Sequence, residues 1–138
     1  MSSWEYFDHA ADVGIRVRAG SLAGLFEAAA RALTAWMGPE PEGGARDSLE
    51  VRVAGEDLSD LLVRWLQEVL YCFHVRRLYL TRADAIELDE RHFRARIHGL
   101  HWNDEHAPAY AEVKAVTYHR LDVKEENGAW SATLILDI

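Results

Sequence analysis

The C-terminus of the chain combines two acidic groups at the end of an apolar strand pattern. The Asp137 side chain and the terminal carboxylate of Ile138 lie one residue apart. Carboxylates this close repel each other unless a cation or a hydrogen-bond donor lies between them. Hard oxygen ligands of this kind suit Ca²⁺ or Mg²⁺ rather than a soft metal. The alternative interpretation is an ordinary edge strand that ends in solvated acidic groups.

A second group of polar residues, Asp8-His9-Ala10-Ala11-Asp12, precedes a strand pattern near the N-terminus. It carries two carboxylates and an imidazole in what we interpret as an irregular segment. Binding residues often lie on such segments, because a rigid scaffold can position them there. Polar loop residues without a function would produce the same pattern, so this motif alone does not decide between the two.

Lys114 lies in a third pattern, Glu112-Val113-Lys114-Ala115-Val116-Thr117-Tyr118-His119, which predicts a strand. Strand alternation would place Lys114 on the same face as Glu112 and Val116. The chain uses lysine twice against thirteen arginines, so a lysine at this position suggests a need for a compact ammonium group. A lysine that protects an edge strand from aggregation is the alternative.

The remaining histidines and the single cysteine indicate no catalytic centre. Cys72 falls beside an apolar helical stripe and is interpreted as a core or boundary residue. The sequence contains no glycine-rich phosphate-binding motif and no nucleophile in a recognisable setting. Five histidines lack the paired spacing of a metal site and are interpreted as solvated or hydrogen-bonded: His74, His92, His98, His101 and His106.

Two predicted helices would help to position these groups. The first runs from about Leu22 to Trp36 with Ser21 as its N-cap, because apolar residues recur there at three- and four-residue steps. The second follows Asp57, another N-cap, and carries the clearest apolar stripe of the chain, from Leu58 to Phe73.

Strand patterns account for most of the rest of the chain. Alternating apolar and polar residues from Val13 to Ala19 predict a half-buried strand, and Asn127-Gly128 predicts a two-residue hairpin turn. Two helices packed on one largely antiparallel or mixed sheet make an α+β fold, a single two-layer domain over residues 1–138. The other predicted strands are a short one around Leu49, Val51 and Val53, then Arg77–Thr81, Ala85–Asp89, His92–His98, Glu112–His119, Leu121–Glu125 and Trp130–Ile138.

Length and charge limit the class of protein. A chain of 138 residues is the size of one ordinary domain. Its formal net charge of −8 argues against strong, direct nucleic-acid binding, which depends on cations that neutralise phosphates. The single cysteine fits a reducing compartment, and the sequence shows neither a signal peptide nor an apolar run of membrane-spanning length. We therefore predict a cytoplasmic protein without a membrane partner.

Taken together, four motifs resemble the archease family over essentially the whole chain. The resemblance implies an accessory protein, not an enzyme, that activates an RtcB-type RNA ligase by promoting guanylylation of a ligase histidine and restoring turnover. That ligase joins tRNA halves and other broken RNA with GTP and a divalent metal. The motifs are Asp8-His9-Ala10-Ala11-Asp12-Val13-Gly14-Ile15, the helical segment Asp60–Leu70, the strand Glu112–His119 and the terminal Leu136-Asp137-Ile138.

The resemblance also implies a metal site. The family's metal ligands fall on Asp12, Asp137 and the terminal residue Ile138, its strand lysine on Lys114 and its motif histidine on His9. We expect Ca²⁺ in the isolated protein, with Mg²⁺ or Mn²⁺ as alternatives in the presence of the ligase. If the first strand pairs beside the last, Asp12 and Asp137 would converge at one end of the sheet.

One departure from the family and two other functions stay open. This chain has Ala10 where the family usually has Thr, so a hydroxyl that could orient His9 is missing. Archease-like proteins are also proposed to bind a tRNA methyltransferase, which would make this protein a chaperone or specificity modulator. A metal-dependent hydrolase is the third hypothesis, since carboxylates and a histidine can activate water, but the sequence shows no paired metal site.

Overall fold

The structure is a computed structural model that describes residues 2–9 and 12–138, with the side chains of residue 9 and residues 118–121 left out. The described residues form seven β-strands, two α-helices and one short 3-10 helix. In chain order these are β1 (Ser3–His9), β2 (Asp12–Ala19), α1 (Leu22–Met37), β3 (Arg46–Ala54), α2 (Leu58–Val75), β4 (Leu78–Leu88), β5 (His92–His101), the 3-10 helix (Ala107–Ala109), β6 (Ala115–Glu126) and β7 (Ala129–Asp137).

Both α-helices begin at their predicted N-caps. The Ser21 side chain accepts a hydrogen bond from the Gly24 N–H at 3.0 Å, and the Asp57 side chain accepts one from the Asp60 N–H at 2.8 Å. These bonds satisfy amide donors that have no partner inside the first turn of a helix. Among the described residues, neither helix has the length and apolar character needed to cross a membrane.

The strands divide into two antiparallel sheets. A four-stranded sheet has the order β1-β2-β7-β6, and a three-stranded sheet has the order β3-β5-β4. The first and last hairpins of the chain are therefore neighbours, since β2 pairs with β7. This long-range pairing positions the candidate site described below.

One hydrophobic core joins the two sheets through the helices. Helix α1 packs against β2 and β4, and α2 packs against β6, β3 and β4, so each helix contacts both sheets. Trp65 lies fully buried in this core, with its ring centroid 4.9 Å from that of Phe93 in β5. Its Nε1–H donates to the Phe26 carbonyl oxygen at 2.9 Å, so the buried indole keeps its hydrogen bond.

The α+β fold, with its two helices, is confirmed, and the prediction of one sheet is corrected to two. Strand β4 runs unbroken through two predicted strands, because register shifts between Leu80 and Arg82 and between Ala85 and Glu87 keep it paired with β5. The predicted hairpin turn is also confirmed, with φ of 53° at Asn127 and 78° at Gly128.

Two further strand predictions are corrected at the ends that matter for the site. Asp8 and His9, interpreted as irregular, belong to β1, which pairs with β2. The strand predicted from Glu112 begins instead at Ala115, and it continues to Glu126 past a register shift.

Candidate metal-binding site

Strand register brings two predicted ligands together at one end of the four-stranded sheet. Val13 of β2 pairs with Leu136 of β7 in an antiparallel ladder. Asp12, the first residue of β2, precedes Val13, and Asp137, the last residue of β7, follows Leu136, so the two aspartates flank the last pair of that ladder on the same side. The pairing of β2 with β7 therefore brings the two aspartates to the same end of neighbouring strands.

The two carboxylates belong to the open face of this sheet. Ile15 and Val17 alternate toward the core and are fully buried, so Asp12 shares the opposite face with Arg16 and Arg18. Asp12 is half-buried and Asp137 is exposed. A partner protein can reach this end of the sheet without unfolding it.

The same row continues onto both outer strands. His9, the last residue of β1, pairs with Asp12, and Ala115, the first residue of β6, pairs with Asp137. We call these four positions, His9, Asp12, Asp137 and Ala115, the carboxylate row. The His9 side chain, with residues 10 and 11, lies outside the described residues. The role predicted for His9 and the effect of Ala10 therefore stay predictions.

Lys114 reaches this end of the sheet through its main chain. Its N–H donates to the Asp137 carbonyl oxygen at 2.7 Å, and its side chain is exposed. Because β6 begins only at Ala115, the face assigned to Lys114 by strand alternation from Glu112 is not supported. The backbone hydrogen bond, rather than that alternation, ties Lys114 to the carboxylate row.

Ile138 follows β7 and is 40% exposed. Its carboxylate is the predicted third ligand, and the residue follows Asp137 directly in the sequence. The described side chains alone contain no group of three or more His, Cys, Asp or Glu that could hold a metal. Two aspartates from neighbouring strands plus a main-chain carboxylate would make an all-oxygen donor set. Such a set fits Ca²⁺ or Mg²⁺ by its chemistry.

The next row of the open face contains a contact that the sequence did not reveal. Gly14 pairs with Phe7, and the ring covers the glycine so closely that a Cβ there would lie 2.1 Å from Phe7 Cζ. The guanidinium carbon of Arg16 lies 4.0 Å from the same ring centroid, and Arg16 Nη1 donates to Glu5 Oε1 at 3.1 Å. These contacts hold edge strand β1 against β2 next to Asp12. A strand predicted over Trp4–Phe7 would have been the signal in the sequence for this packing.

The histidines and the cysteine that we interpreted as non-catalytic have ordinary structural roles. His98 Nε2 lies 3.0 Å from Asp84 Oδ2, and His101 Nε2 lies 2.9 Å from Asp47 Oδ2, so both histidines are hydrogen-bonded as predicted. The hydrogen bond with His101 lowers the pKa of the Asp47 carboxyl. Cys72 is buried, which raises the pKa of its thiol and suits a core residue rather than a reactive one.

Comparison with known sequences identifies the family. A family model described as "Archease protein family (MTH1598/TM1083)" matches residues 4–138. A protein archease from Pyrococcus abyssi is 34% identical over 142 residues, with 100% of both chains covered. A protein archease from Sulfurisphaera tokodaii is 30% identical over 142 residues, again with 100% of both chains covered.

Solved structures agree with this assignment. The solution structure of Methanobacterium thermoautotrophicum protein 1598 is similar with a TM-score of 0.74 and 29% identity, over 98% of each chain. A crystal structure from Thermotoga maritima, described as an archease and possible chaperone, has a TM-score of 0.65 and covers 96% of this chain and 94% of its own. Its identity of 16% means that this second likeness shows the fold alone. With a family match over nearly its whole length and full-length relatives at 30% identity or more, the chain belongs to the archease family.

Proposed function

We propose that this protein is a non-catalytic activator of an RtcB-type RNA ligase that acts through a divalent cation. Asp12, Asp137 and the terminal carboxylate of Ile138 would hold the cation. The observation that carries the proposal is that Asp12 and Asp137 flank the last pair of the β2–β7 ladder at the same end of the sheet. Carboxylates at neighbouring strand ends repel each other unless a cation or a hydrogen-bond donor lies between them. A bound cation would attract both carboxylates and so offset that repulsion. Membership of the chain in the archease family supports the same role.

The residues of the chain would have distinct roles in this activity. Asp12 and Asp137 would bind the cation from two strands whose spacing the sheet sets. Lys114, tied to Asp137 by its backbone, would supply positive charge when the cation leaves. The cation would be delivered to the ligase active site or ordered within it, and it would promote guanylylation there. We propose Ca²⁺ for the isolated protein and Mg²⁺ or Mn²⁺ as alternatives with the ligase.

The open position of the carboxylate row supports transfer to a partner. Asp137 and Ile138 are both exposed, and they lie at the end of strand β7. An enclosed site would retain its metal, whereas an exposed one can share a coordination position with a second protein. We place this activity in the cytoplasm, since the free thiol of Cys72 suits a reducing compartment.

Single-turnover guanylylation of the cognate ligase tests the proposal. Wild-type protein should accelerate the reaction, and both Asp12→Ala and Asp137→Ala should lose most of that acceleration. Asp104→Ala is a matched control, because Asp104 is an exposed aspartate paired with Arg77 at 2.7 Å, outside the carboxylate row. Equal rates with and without wild-type protein would refute the activator function.

A second candidate is a chaperone or specificity modulator of a tRNA methyltransferase. The observation that favours it is membership in the archease family, of which one solved structure, from Thermotoga maritima, is described as a possible chaperone. A pull-down that offers both purified partners separates the two functions. Recovery of the methyltransferase without the ligase would favour the chaperone and count against the activator.

A further inference from the structure

The open face of the four-stranded sheet carries a second polar row, far from the carboxylate row. Ser3 pairs with Arg18, Arg18 pairs with Ser131, and Ser131 pairs with Lys124. We call these four residues the cationic row. A hydroxyl, a guanidinium, a second hydroxyl and an ammonium thus follow one another across all four strands. The row contains no carboxylate, and it lies about 20 Å along β2 from Asp12.

A cavity of about 560 Å³ lies over the cationic row. All four residues of the row line it, together with the polar side chains of Glu5, Arg16, Glu126 and Thr133. Its volume is in the range of ligand-binding clefts. The lining therefore combines three cations and three hydroxyls with two carboxylates.

Only some of the charged side chains that line this cavity have ion-pair partners within the described part of the protein. Glu5 forms an ion pair with Arg16 at 3.1 Å. Lys124 Nζ lies 3.5 Å from Glu126 Oε1 in a loose, exposed ion pair. Within the described part of the chain, the side chains of Ser3, Arg18 and Ser131 make no hydrogen bond or ion pair. Their donors are available to an anion from outside.

We propose that the cationic row binds the phosphodiester backbone of a nucleic-acid strand. Contacts from proteins to phosphate oxygens come from Arg, Lys, Ser and Thr side chains together, which is the composition of this row. Arg18 and Lys124 flank β7 about 10 Å apart, with the Ser131 hydroxyl between them, so they can contact different phosphates of one strand. The binding is weak and salt-sensitive, which is consistent with a net charge of −8 on the whole chain.

The three-stranded sheet provides the contrast that favours this assignment. Its Arg94 donates to Glu50 and Glu87, and its Arg82 lies 3.2 Å from Asp84, so these two arginines are paired with carboxylates of the same sheet. Arg18 has no such carboxylate opposite it. We assign the row to phosphate because Arg, Lys and Ser side chains are donors that proteins use to contact phosphate oxygens. An acidic protein segment is the competing ligand that the test below includes.

Fluorescence anisotropy with a labelled single-stranded RNA tests the inference on the protein alone, so the result does not depend on ligase activation. Wild-type protein should bind at low salt. The double variant Arg18→Gln/Lys124→Gln should weaken binding by about tenfold or more and reduce the salt slope by about 2, one for each phosphate contact. The control is Arg46→Gln/Arg96→Gln, which removes the same charge from two exposed arginines of the three-stranded sheet.

Three results would overturn the inference. The first is no binding by wild-type protein at low salt, and the second is an equal loss in both double variants, which would reflect net charge rather than the row. The third is equal competition by GMP or by polyglutamate at matched charge, which would point to a single phosphate or to an acidic protein. Thermal unfolding of both variants checks that each keeps its fold.

Discussion

The like charges of the three-stranded sheet differ in their partners from the two aspartates at the end of the four-stranded sheet. Arg52 and Arg94 are directly opposed in the β3–β5 ladder and both contact Glu50, and Arg94 also contacts Glu87 of β4. The Arg52 guanidinium and Arg94 together hold the pKa of Glu50 below its usual range. On the four-stranded sheet, Asp12 and Asp137 flank the last pair of the β2–β7 ladder, so two carboxylates belong to the same end of neighbouring strands.

The difference concerns the group that offsets the repulsion between like charges. Cross-strand pairs of opposite charge contribute favourably to a sheet, whereas like charges directly opposed are unfavourable. On the three-stranded sheet, Glu50 contacts both Arg52 and Arg94 and offsets their repulsion within the chain. Under the proposed function, a bound cation would do the same for Asp12 and Asp137.

Removal of one carboxylate from the row should have the largest effect. Asp137→Ala should weaken Ca²⁺ binding by at least about 100-fold, because loss of a direct ligand exceeds the effects measured for groups that only orient one. In the metal-free protein the same variant should keep or raise the thermal midpoint, because one of two like charges is removed. Calorimetric titration and thermal unfolding in EDTA measure these quantities.

Glu50→Ala is the matched variant on the other sheet. It should leave Ca²⁺ affinity unchanged and lower the thermal midpoint, because it removes the carboxylate that pairs with Arg52 and Arg94. If both variants lowered the midpoint of the metal-free protein equally, the contrast between the two sheets would be wrong.

Extension of the chain beyond Ile138 should have the next largest effect. Appended Gly-Ser residues move the terminal carboxylate away from Asp137, so Ca²⁺ affinity should fall by about tenfold or more. Glu50 and its partners lie in the three-stranded sheet and should keep their contribution to the thermal midpoint. Unchanged calorimetric affinity in the extended protein would remove Ile138 from the ligand set.

Two glycines, one on each sheet, test how tightly neighbouring strands pack against each other. Gly14→Ala should lower the free energy of unfolding by about 1 kcal/mol, because the new Cβ displaces only the far end of the Phe7 side chain and no backbone atom. Gly99→Ala should lower it by about 3 kcal/mol, because its Cβ would lie 2.3 Å from the Tyr79 carbonyl oxygen, which is backbone. Urea unfolding measures both values.

Combination with Phe7→Ala distinguishes the two cases. In a Phe7→Ala background, Gly14→Ala should cause almost no further loss, because the ring it displaces is gone. Gly99→Ala should keep its full effect in that background. Additive losses for Gly14 and Phe7 would show that their contact does not hold β1 in place.

The smallest expected effect concerns the pH dependence of the three-stranded sheet. His101 holds the pKa of the Asp47 carboxyl below its ordinary value of 3.8. A lowered folded-state pKa adds stability above the unfolded-state pKa, and that stability is lost as pH falls through the folded value. Wild-type protein should therefore lose slightly more stability than Asp47→Asn between about pH 5 and about pH 3. Identical losses in parallel urea titrations would contradict this assignment.

Local signals in the sequence were sufficient for the helices and the tight turn. Ser21 and Asp57 cap α1 and α2 as predicted, because an N-cap bond spans only a few residues. Asn127 and Gly128 adopt the positive φ values that their residue types tolerate. Strand β1 was missed, because its polar residues Asp8 and His9 suggested a loop when taken without their partners in β2.

The sequence by itself determined the capped helices, the final hairpin and, through its motifs, the family, because each depends on neighbouring residues or on their order. The number of sheets and the pairing of β2 with β7 required the tertiary structure. Strand pairing depends on how the apolar faces of distant segments are buried together around Trp65, and no local pattern encodes that choice. The adjacency of Asp12 and Asp137, separated by most of the chain, is a consequence of the same pairing.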